Sequence, residues 1–158
     1  MELKKVDFKN LWEVVRLSVK QSQKSFVASN TVSLLEAYAA LSSGATALPF
    51  GLYEDGQLVG FIMFGYGKIE DGEEPEVAEG NYCLWRLMID ERFQGRGLGR
   101  KAMEAALHYL KTFPCGRADC CWLSYEPENT AARSLYRSMG FVENGEVCGE
   151  EIVAVLPL

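Results

Sequence analysis

Cys83-Leu84-Trp85-Arg86-Leu87-Met88-Ile89, followed shortly by Gln94-Gly95-Arg96-Gly97-Leu98-Gly99-Arg100, is the stretch whose reading decides the fold. An apolar run leads into a glycine-rich turn, and helical periodicity follows over residues 98–113. A turn of this kind between a strand and a helix N-terminus suits an anion. Glycine lets the backbone approach a phosphate closely, and the unpaired N–H groups of the first helical turn point at it. Arg96, Arg100 and Lys101 add positive charge at the same place, which predicts a nucleotide-like pyrophosphate as ligand. The segment lacks the Gly-x-x-x-x-Gly-Lys-Ser/Thr of a Walker loop. Its glycines lie two apart and past the middle of the chain, which fits a dinucleotide fingerprint poorly. Taken alone, it leaves open a glycine-rich turn with no ligand.

Further along stands Asn129-Thr130-Ala131-Ala132-Arg133-Ser134-Leu135-Tyr136-Arg137-Ser138-Met139-Gly140-Phe141. Together the two segments resemble the GCN5-related N-acetyltransferase superfamily. Its acetyl-coenzyme A loop reads Gln/Arg-x-x-Gly-x-Gly/Ala, and its later signature reads Asn-x-x-Ala-x-x-x-Tyr-x-x-x-Gly-Phe. The resemblance covers most of the chain from Phe50 to the C-terminus. Residues 23–30, Gln-Lys-Ser-Phe-Val-Ala-Ser-Asn, look like a subgroup assigned to spermine and spermidine acetylation.

The resemblance implies a single-domain α/β fold over residues 1–158. Its sheet would be twisted, mixed and mostly antiparallel, with helices on both faces and a central parallel strand pair that splays apart. Acetyl-coenzyme A would lie in the gap, here between residues 82–90 and 118–125. Met88 and Ile89 match the backbone that pairs with the pantetheine arm. Gln94, Gly95, Arg96, Gly97, Leu98, Gly99 and Arg100 match the pyrophosphate loop, and Asn129 matches a side chain at the pantetheine end. Tyr136 matches the general acid, and a homodimer is expected by family analogy alone.

Acetyl transfer from a thioester to an amine needs the partners held together, the amine neutral, and the departing thiolate stabilised. Positioning alone can remove on the order of 7–11 kcal/mol of barrier. A phenol with an ordinary pKa near 10 is protonated at neutral pH and can donate to the thiolate, as Tyr136 would. The alternative is a core tyrosine on an amphipathic helix, since Leu135, Met139 and Phe141 are apolar. For the proton of the amine, Glu126 follows the strand at residues 118–125 and is the candidate base or substrate ligand. Glu128 is the second choice, but it could equally cap the next helix.

Phe26 lies in the segment that shapes the acceptor pocket in the family. Trp85 and Tyr53 could offer aromatic faces to an ammonium, or could pack in the core. Residues 70–79 carry six carboxylates in ten positions, which could attract a polycation or form a solvated hairpin tip. The expected acceptor is a primary amine such as spermine or spermidine. Other small amines, a protein N-terminus, and a coenzyme A-binding module without turnover are the alternatives.

The composition agrees with this reading. At 158 residues, 48% hydrophobic, the chain fits one soluble domain. No apolar run approaches a membrane span and no signal-peptide stretch is present, so a cytoplasmic protein without membrane partners is expected. Net charge is −6, yet residues 92–101 hold four basic side chains and no acidic ones. A basic cofactor turn on an acidic body suits a cationic co-substrate and argues against nucleic acid. Five cysteines form neither a CxxC pair nor a His-Cys metal pattern, so reduced thiols and no metal are expected. The lone histidine, His108, shares a helical face with Lys101, Glu104 and Lys111, a solvated position.

Periodicity predicts strands at residues 3–6, 48–53, 58–66, 81–90, 118–125 and 152–156, with a further strand beginning at 141–142. It predicts helices at 10–19, 33–41, 98–113 and 129–139. The second helix carries a capping box between Ser33 and Glu36, and an Asp55-Gly56 hairpin turn joins the second and third strands. Residues 67–80 read as a loop.

Overall fold

The computed structural model describes residues 1–68 and 74–158. Among the described residues seven strands form one sheet: β1 (Glu2–Lys5), β2 (Thr46–Glu54), β3 (Gln57–Tyr66), β4 (Tyr82–Ile89), β5 (Cys120–Tyr125), β6 (Val142–Cys148) and β7 (Glu151–Pro157). They lie in the order β1-β2-β3-β4-β5-β7-β6. Every pairing is antiparallel except β4 with β5. The β2–β3 turn places Asp55 at φ 50° and Gly56 at φ 78°, the left-handed pair that a two-residue hairpin with the sheet's twist requires.

Alternation along β3 sorts the core into two layers. Ile62 and Phe64 face one side, against Ala102, Met103, Ala106 and Leu110 of α3 (Leu98–Leu110). Phe61 and Met63 face the other side, with Val14 of α1 (Leu11–Val14) and Ala37 and Ala40 of α2 (Asn30–Ser42). Residues Leu135, Tyr136 and Met139, in and just after α4 (Thr130–Ser138), pack on the α3 side. Helices therefore cover both faces of the mixed sheet.

Two elements differ from the periodicity reading. The expected helix over 10–19 is a single turn. Past it, the Ser18 N–H donates to the Asp90 carboxylate at 3.0 Å, and the Ser18 carbonyl accepts from Glu91 N–H at 2.8 Å. These bonds pull the chain toward the end of β4, and Leu17 and Val19 reach the core without helical geometry. Helix α2 starts earlier than expected. Its cap is Ser29, whose hydroxyl accepts from Val32 N–H at 3.3 Å, and Asn30 in the first turn donates to the Val14 carbonyl at 2.8 Å. Glu36 takes no part in a capping box and instead pairs with Arg86 on β4 at 2.8 Å. Of the acidic segment, residues 70–73 lie outside the described residues. Glu76–Ala78 form one 3₁₀ turn, with Ala78 buried beside Trp122 and Val153.

Candidate active site

β4 and β5 pair in parallel at only two positions, Tyr82 with Cys121 and Cys83 with Trp122. Beyond Cys83, β4 keeps β3 on one side and, among the described residues, has no strand on the other. A bulge lies at the point of parting: Phe64 pairs with Leu84 and Met63 with Arg86, so Trp85 has no cross-strand partner. The extra residue shifts the alternation. Trp85 packs with the α1–α2 layer and Arg86 binds Glu36 there, while Leu84 and Leu87 belong to the opposite layer.

The opening holds a cleft of about 400 Å³. Residues 84–89 of β4 and Ser124 and Tyr125 of β5 line its walls. Gly95, Gly97, Leu98 and Gly99 lie at one end, where the turn enters α3. Gly95 and Gly97 have φ of 78° and 73°, and a Cβ on either would meet nothing within 4 Å. Glycine is needed there for backbone conformation, not for space. Gly97 caps α3, so the N–H groups of the first turn have no helical acceptor and meet the positive end of a thirteen-residue helix dipole. This cradle suits a phosphate, and the unpaired half of β4 suits an extended amide-bearing arm.

The predicted site residues fall into three groups. Met88, Ile89, Gln94, Gly95, Gly97, Leu98, Gly99, Asn129, Tyr136, Phe26 and Trp85 all line the cleft. Gln94 has a structural task there: its amide donates to Gln23 Oε1 and to the Ile89 carbonyl, both at 2.9 Å. Asn129 caps α4, its Oδ1 accepting from Ala132 N–H at 3.1 Å. Arg96 and Arg100 are exposed at the rim, Arg96 donating to the Arg92 carbonyl and Arg100 to Ser138 Oγ at 2.7 Å. Glu126 lines no part of the cleft, because it sits past the end of β5 in the turn that leads to α4.

Among the described residues the carboxylate that lines the cleft is Glu151, at the start of β7, a residue that sequence reasoning missed. It has no motif around it, and only the β5–β7 pairing brings it beside the splayed strands. Ser124 Oγ donates to its Oε2. Tyr136 lies between Tyr125 and Phe141, with ring centroids 5.7 and 6.0 Å away. Burial, and after it the nearby Glu151 charge, push the Tyr136 phenol up from its ordinary value, so it stays protonated.

A second cleft of about 360 Å³ opens against the first. The two share Leu84, Trp85, Arg86, Ser124 and Glu151. Tyr66, Glu74 and Trp122 are among its other walls. Tyr53, by contrast, packs in the α1–α2 layer with the Lys4 ammonium 4.5 Å from its ring, away from both clefts. His108 is exposed on α3. Among the described residues no three His, Cys, Asp or Glu side chains gather as a metal site would need, and no helix is long and apolar enough to cross a membrane.

The geometry has counterparts among known proteins. The chain is 35% identical over 148 residues to the spermine/spermidine N(1)-acetyltransferase of Bacillus subtilis, covering 93% of this chain and 91% of that protein. It is 34% identical, with the same coverage, to a probable spermine N(1)-acetyltransferase of Bacillus subtilis subsp. natto. In fold it matches the aminoglycoside acetyltransferase AAC(6')-Ib in complex with coenzyme A. The TM-score is 0.78 at 17% identity, over 98% of this chain and 93% of that one. The PaiA N-acetyltransferase of Thermoplasma acidophilum, also in complex with coenzyme A, matches with a TM-score of 0.65 at 19% identity, over 99% and 98% of the chains. A sequence profile of the acetyltransferase (GNAT) family matches residues 11–141, and the chain belongs to that family.

Proposed function

We propose that this acetyl-CoA-dependent N-acetyltransferase acetylates a primary amine of a polyamine such as spermine or spermidine, by direct attack within a ternary complex. The observation that carries the reading is the pairing of a protonated phenol, Tyr136, with a carboxylate, Glu151, in one cleft that ends in the Gly95–Gly97 cradle. The cradle and the first turn of α3 hold the pyrophosphate. The open edge of β4 at Met88 and Ile89 holds the pantetheine arm, which delivers the thioester to the bulge at Trp85.

The amine enters by the second cleft, whose Glu74 and Glu151 carboxylates and Trp85 and Trp122 rings suit a cation. In solution most of an alkylamine is protonated, with a pKa near 10.4, and Glu151 takes that proton through water. The amine nitrogen bonds to the thioester carbonyl carbon, the carbon–sulfur bond breaks, the sulfur receives the Tyr136 proton, and the second proton, shed by the nitrogen as it becomes an amide, returns through water to the Tyr136 phenolate. Glu151 replaces Glu126 in this scheme because it borders both clefts and Glu126 borders neither. The names of the Bacillus relatives support a polyamine acceptor.

Initial rates with acetyl-CoA and spermidine varied together test the order of events. Intersecting double-reciprocal lines are expected. Parallel lines would indicate an acetyl-enzyme and would overturn direct attack.

A further inference from the structure

Glu74 reaches the wall of the second cleft from a short stretch, residues 74–81, that belongs to no strand. The stretch is anchored at its far end, in its middle and near its start. Asn81 donates from Nδ2 to the Val77 carbonyl at 3.0 Å, and its Oδ1 accepts from Asp119 and Cys120 N–H at 2.9 and 3.0 Å, which ties it to the start of β5. Ala78 is fully buried beside Trp122 and Val153. The remaining anchor comes from β6. Glu146 Oε1 accepts from Glu76 N–H at 2.7 Å and from Val77 N–H at 3.3 Å, the first N–H groups of the 3₁₀ turn. Glu146 stands where the β6–β7 register breaks, between Glu143 and Val147. Its N–H donates to Asn144 Oδ1 at 3.0 Å and its Oε2 accepts from Asn144 Nδ2, so the carboxylate is braced. On charge alone a carboxylate is an unfavourable anchor here. The stretch it holds carries Glu74, Glu76 and Glu79 and no lysine or arginine. Like charges gathered in this way repel, and a polycation arriving from solution relieves the repulsion.

We infer that Glu146 is a positioning residue for the acceptor: it holds the backbone of Glu76 and Val77 so that Glu74 stays on the cleft wall, and through Glu74 it selects amines that carry a second ammonium group. This role rests on the reading that the second cleft receives the amine. Glu151 borders both clefts and serves the nitrogen that reacts. Glu74 lines the second cleft alone and suits a nitrogen that does not react. That second ammonium stays charged throughout the reaction. Its binding is the same in the ground and transition states, so losing it raises KM and leaves kcat unchanged.

Steady-state kinetics at saturating acetyl-CoA, with spermidine and with butylamine, test this role. Butylamine has a single ammonium and serves as the comparator. Glu146→Ala is expected to raise the spermidine KM about tenfold, with kcat and the butylamine KM within about twofold of wild type. Glu146→Gln keeps an oxygen for the two N–H donors and is expected to restore most of the spermidine KM. Glu74→Gln is expected to raise it as Glu146→Ala does, and the two together no further, because both remove one interaction. If Glu146→Ala loses its fold by circular dichroism, Asn144→Ala is the milder variant, with a rise of about threefold expected for spermidine alone. An unchanged spermidine KM, an equal rise for butylamine, or a fall in kcat alone overturns the inference while the wild type still prefers spermidine. A wild type that handles butylamine as well as spermidine overturns the polyamine reading itself, and this role with it.

Discussion

The Ser124 hydroxyl donates to the Glu151 carboxylate where the two clefts meet. One residue comes from β5 and the other from β7, so the pair exists only because β7 returns between β5 and β6. The hydroxyl fixes the orientation of a carboxylate that borders both clefts.

Glu151→Gln should therefore lower kcat/KM for the amine by about 10- to 100-fold, or about 1.4–2.8 kcal/mol of transition-state stabilisation. Acetyl-CoA affinity, measured by calorimetry, should not change. Ser124→Ala should give a smaller loss in the same direction. Wild-type amine kinetics in Glu151→Gln would remove the residue from the mechanism.

Tyr136→Phe should reduce kcat by roughly 10²–10⁴ if general-acid catalysis is lost, with cofactor affinity nearly unchanged. The pH profile of the wild type supplies a second check. A general acid fails once deprotonated, and burial holds the Tyr136 phenol above its usual range. The alkaline fall in kcat from this group should thus lie above pH 10, the value of an ordinary tyrosine. A fall through the neutral range that disappears in Tyr136→Phe would contradict the environment described.

Gly97→Ala should weaken the cradle. The residue sits at φ 73° with empty space around it, so the cost is conformational, on the order of 1–2 kcal/mol. Both thermal stability and acetyl-CoA affinity should drop. Unchanged affinity, with only the melting temperature lowered, would mean that the turn does not hold the pyrophosphate.

Asp90 closes β4 and is buried. Its carboxylate accepts from Ser18 N–H at 3.0 Å, Arg92 N–H at 3.1 Å and Arg92 Nε at 2.6 Å. Burial pulls its pKa up, but those donors outweigh burial and hold it below the usual carboxylate value. A folded-state pKa below the unfolded value near 3.9 stabilises the protein above that pH, and the contribution fades as pH falls through the native pKa. Asp90→Asn should cost about 1.5–3 kcal/mol at neutral pH, read by denaturant unfolding. The gap between variant and wild type should narrow below about pH 4. A constant gap at all pH values would contradict this assignment.

Much of the architecture was legible in the chain because its signals are local. The Asp55-Gly56 turn, the run into Gln94–Arg100 and the Asn129–Phe141 segment each specify backbone geometry from neighbouring residues. The cleft lining at Met88, Gly95, Gly97, Asn129 and Tyr136 follows from those same segments. The first helix is shorter than its periodicity predicts for a different reason. The spacing of Leu11, Val14, Val15 and Leu17 fits a helix, yet a distant carboxylate, Asp90, captures the backbone at Ser18. Glu151 was illegible because its place depends on strand pairing far along the chain, and Glu126 drew attention only by standing next to β5. The bulge at Trp85 shows only in the register with β3.

Free-thiol release from acetyl-CoA, followed across spermine, spermidine, putrescine, kanamycin, single amino acids and a basic peptide, tests the polyamine acceptor most directly. The highest kcat/KM is expected with spermine or spermidine, with loss of that preference in Glu151→Gln. A non-polyamine acceptor that outpaces both, or release that ignores the amine offered, would contradict it.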